Sequence, residues 1–476
     1  MVARYSDDTT GDATRPDGCR CSVVTLASNM GDPFVKVALD VRLRAHANSR
    51  LACEPDKEPL IGSAGPASGS VQGPALSWSD SERGGSLADV PRSWKARNMY
   101  AAPASKAGLD QITARRLRLD RVRSAMVEAG VDALLLSLGA DLPWLTGYLA
   151  MPLERLTMLV VPSDGEATLV IPKLEAPRVD HDPELFSMRP WTELESPTRI
   201  VADLLGSRSR LAVSDRCWAT FVVDLQRLLP DATWRQASHV TSSLRMRKDA
   251  AEIAALVAAS EAIDRVAAQL HAGDIRLIGR TEAAVSAEMS ARIVAEGHEK
   301  VNFAIVAAGE NAASPHHHAG DRVIAANEVV LCDFGGTMDG YCSDITRCVY
   351  TGEPPAEFAE LYDVLMASNA AGVAAGTIGT PCQDVDRASR RVIDDAGYGE
   401  YFIHRTGHGI GMEEHEDPYM VEGNVLPLAS GHAYSVEPGI YVPGKWGARL
   451  EDIVIATADG PQSLNFADHR LVVVEA

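Results

Sequence analysis

Residues 329–347 read Val329-Val-Leu-Cys-Asp333-Phe-Gly-Gly-Thr-Met338-Asp339-Gly340-Tyr-Cys-Ser-Asp344-Ile-Thr-Arg347. Two apolar runs flank Met338-Asp339-Gly340, and that turn chemistry predicts a β-hairpin. Folding it about its midpoint sets Asp333 opposite Asp344. Directly opposed residues on paired strands share a face, so two carboxylates converge. Bare carboxylates that close repel, and one would stay protonated unless a cation lies between them. The hairpin therefore has the chemistry of half a metal site.

The other half is sought downstream. His404-Arg-Thr-Gly-His408-Gly-Ile-Gly411 carries two histidines four apart, but its three glycines disfavour a helix. A strand end entering a glycine-rich loop fits better, with backbone free to approach a ligand. Seven residues on comes His415, in Glu-Glu-His-Glu-Asp-Pro. A lone histidine is usually structural; three within twelve positions, separated by glycines, shift that balance.

The stretch Ala433-Tyr-Ser-Val-Glu437-Pro-Gly-Ile-Tyr-Val-Pro-Gly444-Lys-Trp-Gly-Ala-Arg449-Leu-Glu451-Asp-Ile-Val-Ile455 repeats the first pattern. Folded about Gly444, it sets Glu437 opposite Glu451. Hard divalent ions favour such oxygens, and an added imidazole suits Mn, Co, Fe or Zn. Four carboxylates plus one imidazole balance two divalent ions, the inventory of a two-metal hydrolytic centre. Acidic residues in a hairpin mean little singly. The combination on two hairpins and one loop is specific.

The bulk properties agree. The 476 residues carry a formal charge of −20, with 65 Asp+Glu against 45 Lys+Arg. So acidic a chain offers no basic footprint for nucleic acid or an anionic membrane. It suits a soluble protein with a small substrate. No run of 18 apolar residues occurs, and the N-terminus lacks the pattern of a secretory leader, which points to the cytoplasm. The eight cysteines form neither a disulfide ladder nor a zinc-finger spacing. Cys332, Cys342 and Cys348 read as small buried thiols beside the hairpin; Cys19 and Cys21 alone cannot complete a tetrahedral zinc site.

Residues 1–105 are rich in Gly, Ser, Pro, Asp and Arg without apolar period, and are expected to form a disordered or low-complexity extension. Met99 offers an alternative start of translation. Residues 106–242 read as a compact α/β unit, with a helix over 112–129 closed by Gly130 and strands over 132–137, 156–161, 167–171 and 211–214. Asp164-Gly165 makes a hairpin turn, and short helices cover 199–205 and 221–229. No cluster of potential ligands occurs there, so it reads as a scaffold or a partner-contacting domain. Residues 243–476 begin with an Asp249–Glu252 capping box ahead of an amphipathic helix ending at Gly273. A helix over 281–296 follows, and two more start at Pro355 and Pro381. With hairpins between, the expected class is α+β, an antiparallel sheet with helices on one face.

These motifs resemble the pita-bread metallopeptidases: Xaa-Pro dipeptidases (prolidases), Xaa-Pro aminopeptidases and methionine aminopeptidases. The resemblance spans residues 110–476 and rests on Asp333-Phe-Gly, Gly340-Tyr-Cys-Ser-Asp344-Ile-Thr-Arg, His404-Arg-Thr-Gly-His408-Gly-Ile-Gly, Ser435-Val-Glu437-Pro-Gly and Arg449-Leu-Glu451-Asp. It implies a pita-bread catalytic domain behind a smaller creatinase-like α/β domain. It also implies two divalent ions per subunit, manganese first and cobalt, zinc or iron as alternatives. Asp333 would hold one ion, Asp344 and Glu451 would bridge, and His408 with Glu437 would hold the other.

By the same resemblance, the reaction is hydrolysis of the Xaa-Pro dipeptide bond by a hydroxide shared between the ions. Glu437 is the implied proton shuttle and His415 the group facing the developing oxyanion. His316, in Ser-Pro-His, matches a histidine near the site, while His317 and His318 read as surface residues. His404 and Arg449 would hold the substrate's C-terminal side; Arg449 could equally serve to keep Glu451 aimed. The separate N-terminal domain argues against methionine aminopeptidase, and its modest length favours the dipeptidase branch over Xaa-Pro aminopeptidases acting on longer peptides. A homodimer is implied by analogy. The rival readings are a metal-free hydrolase of the creatinase type and a catalytically silent binding module of the same fold.

Overall fold

The computed structural model describes residues 107–474. The expected extension over 1–105, with Cys19, Cys21 and Met99, lies outside them.

The N-terminal unit opens on helix α1 (Ala107–Ala129), closed at Gly130, and strand β1 (Ala133–Leu136). Helix α2 (Asp141–Thr146), strands β2 (Met158–Pro162), β3 (Thr168–Pro172) and β4 (Ser187–Trp191), and helix α3 (Pro197–Leu205) follow. Strand β5 (Arg210–Val213), helix α4 (Ala219–Leu228), strand β6 (Thr233–Gln236) and helix α5 (Ser238–Arg245) complete it. The six strands form one sheet in the order β4-β3-β2-β1-β5-β6. Successive residues of a strand point to opposite faces, and here both faces are covered. Leu134, Leu136, Leu159 and Leu169 pack with Val122 and Met126 of α1 on one side. Ala133, Leu135, Met158 and Val160 meet Val201, Leu205 and Leu225 of α3 and α4 on the other. That double burial explains the unbroken apolar reading of β1 and β2.

The C-terminal unit begins at α6 (Ala250–His271), whose Asp249–Glu252 capping box is formed as expected, and α7 (Glu282–Ala295). Strands β7 (Lys300–Ala308), β8 (Val329–Met338), β9 (Tyr341–Cys342) and β10 (Ile345–Tyr350) come next. Helices α8 (Ala356–Ala375) and α9 (Cys382–Asp395) each have proline as N-cap, Pro355 and Pro381. The chain closes with β11 (Gly407–Gly409), β12 (Glu416–Met420), β13 (Ala433–Val436), β14 (Gly439–Val442), β15 (Trp446–Arg449), β16 (Asp452–Thr457), β17 (Gly460–Ser463) and β18 (Val472–Val473). Instead of a single antiparallel sheet there are two, in the orders β18-β10-β8-β7 (β9 off β8) and β12-β11-β13-β16-β17, plus a β14–β15 ribbon. A bridge between Thr346 and Glu451 joins the sheets. Arg347, fully buried, spans the same seam, donating to the Glu451 carbonyl at 2.7 Å and to Asp452 at 2.8 Å.

One register differs from expectation. The β8 hairpin turns on two residues, Asp339 and Gly340, both with positive φ (49° and 78°), rather than on three. Asp333 therefore pairs with Thr346, two positions past Asp344. A shift of two preserves the face, since side chains alternate with period two. Asp333 and Asp344 thus still share a side, as diagonal neighbours. In the second hairpin Gly439 pairs with Arg449 and Val436 with Asp452, a register that brackets Glu437 and Glu451 at opposed positions, as read from Gly444.

Candidate active site

Asp344 lies just ahead of β10, Glu451 between β15 and β16, and His408 in the middle of β11. Their ligating atoms all fall within 4.8 Å of one another, and all three residues are buried. Glycines are what let β11 enter so closely: a side chain at Gly407 or Gly409 would strike the carbonyls of Ser435 or Asp417. His408 Nδ1 faces the Gly409 carbonyl at 3.1 Å, which leaves Nε2 3.8 Å from Asp344 and 3.2 Å from Glu437. Ser435 fastens this corner, its hydroxyl accepting from the His408 amide and donating to Glu437, both at 3.0 Å.

Asp333 enters from the other side. Its Oδ2 accepts from Arg449 at 2.5 Å, and Arg449 Nε donates to Thr346 Oγ1 at 3.1 Å. The Thr346 hydroxyl in turn donates to Glu451 Oε2 at 2.7 Å. A continuous chain from Asp333 to Glu451 results, orienting carboxylates through their outer neighbours.

The remaining oxygens are the informative ones. Asp333 Oδ1, Asp344 Oδ1 and Glu451 Oε1 are buried and have no hydrogen-bond partner. Burial, then the neighbouring Glu451 and Asp333, pushes Asp344 well above the ordinary carboxylate range. Burial, then Glu437 and Asp333, does the same to Glu451, and burial also raises Asp333. Burial opposes ionisation of Glu437 too, but the hydrogen bond and charge of His408 hold it at about 2. Buried carboxylate oxygens without partners, two of them on residues clustered with the His408 imidazole, fit divalent cations, which supply the missing positive charge.

The other expected residues lie around this cluster. The ring of His415 packs against that of His408, tilted by 49° with centroids 4.0 Å apart. Partial burial, then the His408 imidazole, pushes it down to about 4, a neutral donor at physiological pH. His404 Nε2 meets the Tyr441 hydroxyl at 2.9 Å, and Arg449 Nη1 donates to the same oxygen at 2.7 Å. His316 is exposed and makes no hydrogen bond among the described residues. His317, read as a surface residue, is instead bound to the buried Glu282 at 2.7 Å. Cys332, Cys342 and Cys348 are buried thiols, as expected.

Sequence reasoning missed Tyr441, Thr346 and Ser435. Each carried a usable signal, since Ser435 and Tyr441 are an even number of residues from Glu437, and Thr346 from Asp344. The α/β domain also borders the catalytic one near His415. A cavity of about 290 Å3 is lined by Leu138, Ser214 and Arg216 of that domain and by Glu413, His415 and Tyr419 of the catalytic one.

An α/β domain ahead of an α+β domain, with a buried carboxylate–imidazole cluster where two sheets meet, defines a pita-bread metallopeptidase architecture. Comparison with known proteins agrees. The metallopeptidase family M24 profile matches residues 249–458, and the creatinase/prolidase N-terminal domain profile matches 118–247. The chain belongs to metallopeptidase family M24. It is 42% identical over 372 residues to the probable dipeptidase PepE of Mycobacterium tuberculosis, covering 76% of this chain and 97% of that one. It is 33% identical to the Xaa-Pro dipeptidase of Lactobacillus delbrueckii subsp. lactis, covering 75% and 99%. The crystal structure of dipeptidase PepE from Mycobacterium ulcerans superposes with a TM-score of 0.72 at 42% identity, covering 77% and 99%. Among the described residues no helix is long and apolar enough to cross a membrane.

Proposed function

We propose that this chain is a dinuclear Xaa-Pro dipeptidase, hydrolysing the bond between any first residue and a C-terminal proline. The observation carrying this reading is the buried cluster of Asp344, His408 and Glu451, in which Asp344 Oδ1 and Glu451 Oε1 have no hydrogen-bond partner. Asp333, Asp344, His408, Glu437 and Glu451 are the residues that would hold the ions, manganese first. Two divalent ions held there supply a water acidic enough to ionise near neutral pH and polarise the scissile carbonyl.

The chain's own groups do the rest. Glu437, ionised and fixed by Ser435 and His408, accepts the proton of the attacking water and delivers it to the departing proline nitrogen. His415, neutral and packed against the tilted ring of His408, donates to the carbonyl oxygen as charge develops there. His404, tied through Tyr441 to Arg449, lines the side that receives the proline, with His316 at the edge. The names of the similar proteins, dipeptidase and Xaa-Pro dipeptidase, support this substrate class. A cytoplasmic homodimer belongs to the same proposal, checked by sedimentation of purified protein and by fractionation.

Ala-Pro and Ala-Pro-Ala, assayed on protein stripped by chelation and reloaded with Mn, Co or Zn, test it. Metal-restored cleavage of Ala-Pro with little on the tripeptide is the expected result. Comparable tripeptide cleavage means an Xaa-Pro aminopeptidase instead. No cleavage under any loading means the binding-module reading.

A further inference from the structure

His415 sits in a segment without regular structure: residues 411–415 form a run of bends, and β12 starts only at Glu416. The strand ladder begins one residue past His415, where Glu416 pairs with Gly409, and the loop before it is tied down by ion pairs. Glu413 and Glu416, flanking His415, both accept from Arg245 Nη2, Glu413 at 2.9 Å. Lys248 Nζ donates to the other oxygen of Glu416 at 2.7 Å. This last pair fills the space beside Gly411, where a side chain would meet Glu416 Oε1 at 2.5 Å and Lys248 Cε at 3.1 Å.

Arg245 closes α5, the last helix of the α/β unit, so its bonds to Glu413 and Glu416 already cross to the catalytic domain, and its other end is held within its own unit. Its Nη1 donates to Asp141 Oδ1 at 3.1 Å, and the second oxygen of Asp141 accepts from Thr241 at 3.1 Å. Arg216, beyond β5, reaches Glu413 at 3.0 Å. The Lys248 side chain is 1% exposed, that of Glu416 8% and that of Arg245 11%, so most of this network is buried. Burying charges costs several kcal/mol per ion, and such a cluster is weak evidence of stabilisation. What it does supply is direction, because the rigid planar guanidinium of Arg245 holds Asp141, Glu413 and Glu416 at fixed angles to one another.

We infer that Arg245, aided by Lys248, is a positioning residue that sets His415 against the reacting carbonyl, and that the α/β domain braces it through Asp141 and Arg216. The inference rests on the reading of His415 as the oxyanion donor. Turnover then depends on the seam between the domains as well as on the ligand cluster.

A double-variant cycle on the metal-loaded enzyme tests this, with Ala-Pro as substrate and metal content measured on every variant. Arg245→Gln should lower kcat by roughly 10-fold to 100-fold, the loss seen when a group orienting a functional side chain is removed. KM should stay within about two-fold and metal content should be unchanged, because transition-state contacts act on kcat. Arg245→Lys should recover part of the loss. In a His415→Ala background, Arg245→Gln should cost almost nothing more, since both changes remove the same contact. Losses that multiply in the double variant, or that follow metal content, overturn the inference. Full turnover by His415→Ala alone overturns the oxyanion reading and with it this route. Should Arg245→Gln not fold, the exposed Arg216→Ala carries the test. It should give a few-fold loss of kcat that vanishes in the His415→Ala background; an undiminished kcat in the Arg216→Ala single variant, or a loss that persists in the double variant, overturns the bracing role.

Discussion

His408 Nε2 lies 3.2 Å from Glu437 Oε1, a separation at which an imidazole and a carboxylate share either a proton or a cation. The orphaned oxygens of Asp344 and Glu451 beside them decide for the cation. Asp344→Asn should therefore abolish turnover and lower bound metal, measured by elemental analysis after dialysis. In the chelated protein the same substitution should raise the thermal midpoint, because it removes a buried charge left without a partner. A midpoint that falls in both forms would mean that Asp344 is held by the fold rather than by metal.

The same cluster makes metal stabilisation depend on pH. Burial and neighbouring carboxylates raise Asp344 and Glu451 in the metal-free fold above their values in the unfolded chain. A raised carboxyl binds its proton more tightly when folded, so its contribution is present at low pH and lost as pH rises through the folded value. Loaded protein has no such loss. The difference in midpoint between loaded and chelated protein should widen as pH rises above the ordinary carboxylate range. A constant difference would contradict the placement of these carboxyls.

Thr346 tests the outer support. Its hydroxyl is the link between Arg449 and Glu451. Thr346→Val keeps the shape and removes both hydrogen bonds, so metal affinity should fall by about 10-fold to 100-fold with little change in KM at saturating metal. Competition with a chelator of known affinity measures it.

How far the chain could be read from its sequence follows from periodicity. Asp333 and Asp344 could be placed on one face because strand alternation survives a register error of two: Asp333 pairs with Thr346 rather than Asp344, yet keeps its face. Tyr441 and Thr346 escaped because hydroxyl residues on strands are common, and only the folded seam reveals their partners. Strands β4 and β6 were not anticipated because both are edge strands, Ser-Met-Arg-Pro-Trp and Thr-Trp-Arg-Gln, the first half-buried and the second mostly exposed, and neither shows an apolar alternation. The Arg245 network was invisible for a different reason. Its members lie from 141 to 416, and only the packing of the two domains brings them together.

Two histidines away from the site shape acid stability. Burial, then Arg347, pushes His271 down to about 4, and burial, then Arg247 and Lys248, does the same to His432. The Nε2 atom of each is buried without a partner. Both stay neutral when folded and gain protons when unfolded below about 6.5, so stability falls as pH drops from 6.5 towards 4. Asp264, raised to about 6 by burial, acts in the opposite sense below pH 6, so the informative measurement is a comparison of variants. The double variant His271→Gln, His432→Gln should lose less of its thermal midpoint between pH 7 and pH 5 than the parent. An identical loss would remove these residues from the account.

Trp144 offers a test of the domain seam that leaves the chemistry alone. It is fully buried in α2, and its indole N–H donates to Glu252 Oε1 at 3.0 Å across the boundary. Tyr341 donates to the same oxygen at 3.0 Å, while Glu252 Oε2 closes the capping box of α6. Trp144→Phe removes one donor from a buried carboxylate and leaves a gap the size of a ring, a loss of roughly 1–3 kcal/mol for the hydrogen bond before packing is counted. Glu252→Gln on top should recover part of that, because a neutral amide suffers less from losing a donor than a buried anion does. Denaturant unfolding of the four proteins in the cycle measures the coupling, with kcat on Ala-Pro expected within about two-fold throughout, since none of these groups faces the reacting atoms. Independent, additive losses would mean that the indole packs at the seam without bonding across it.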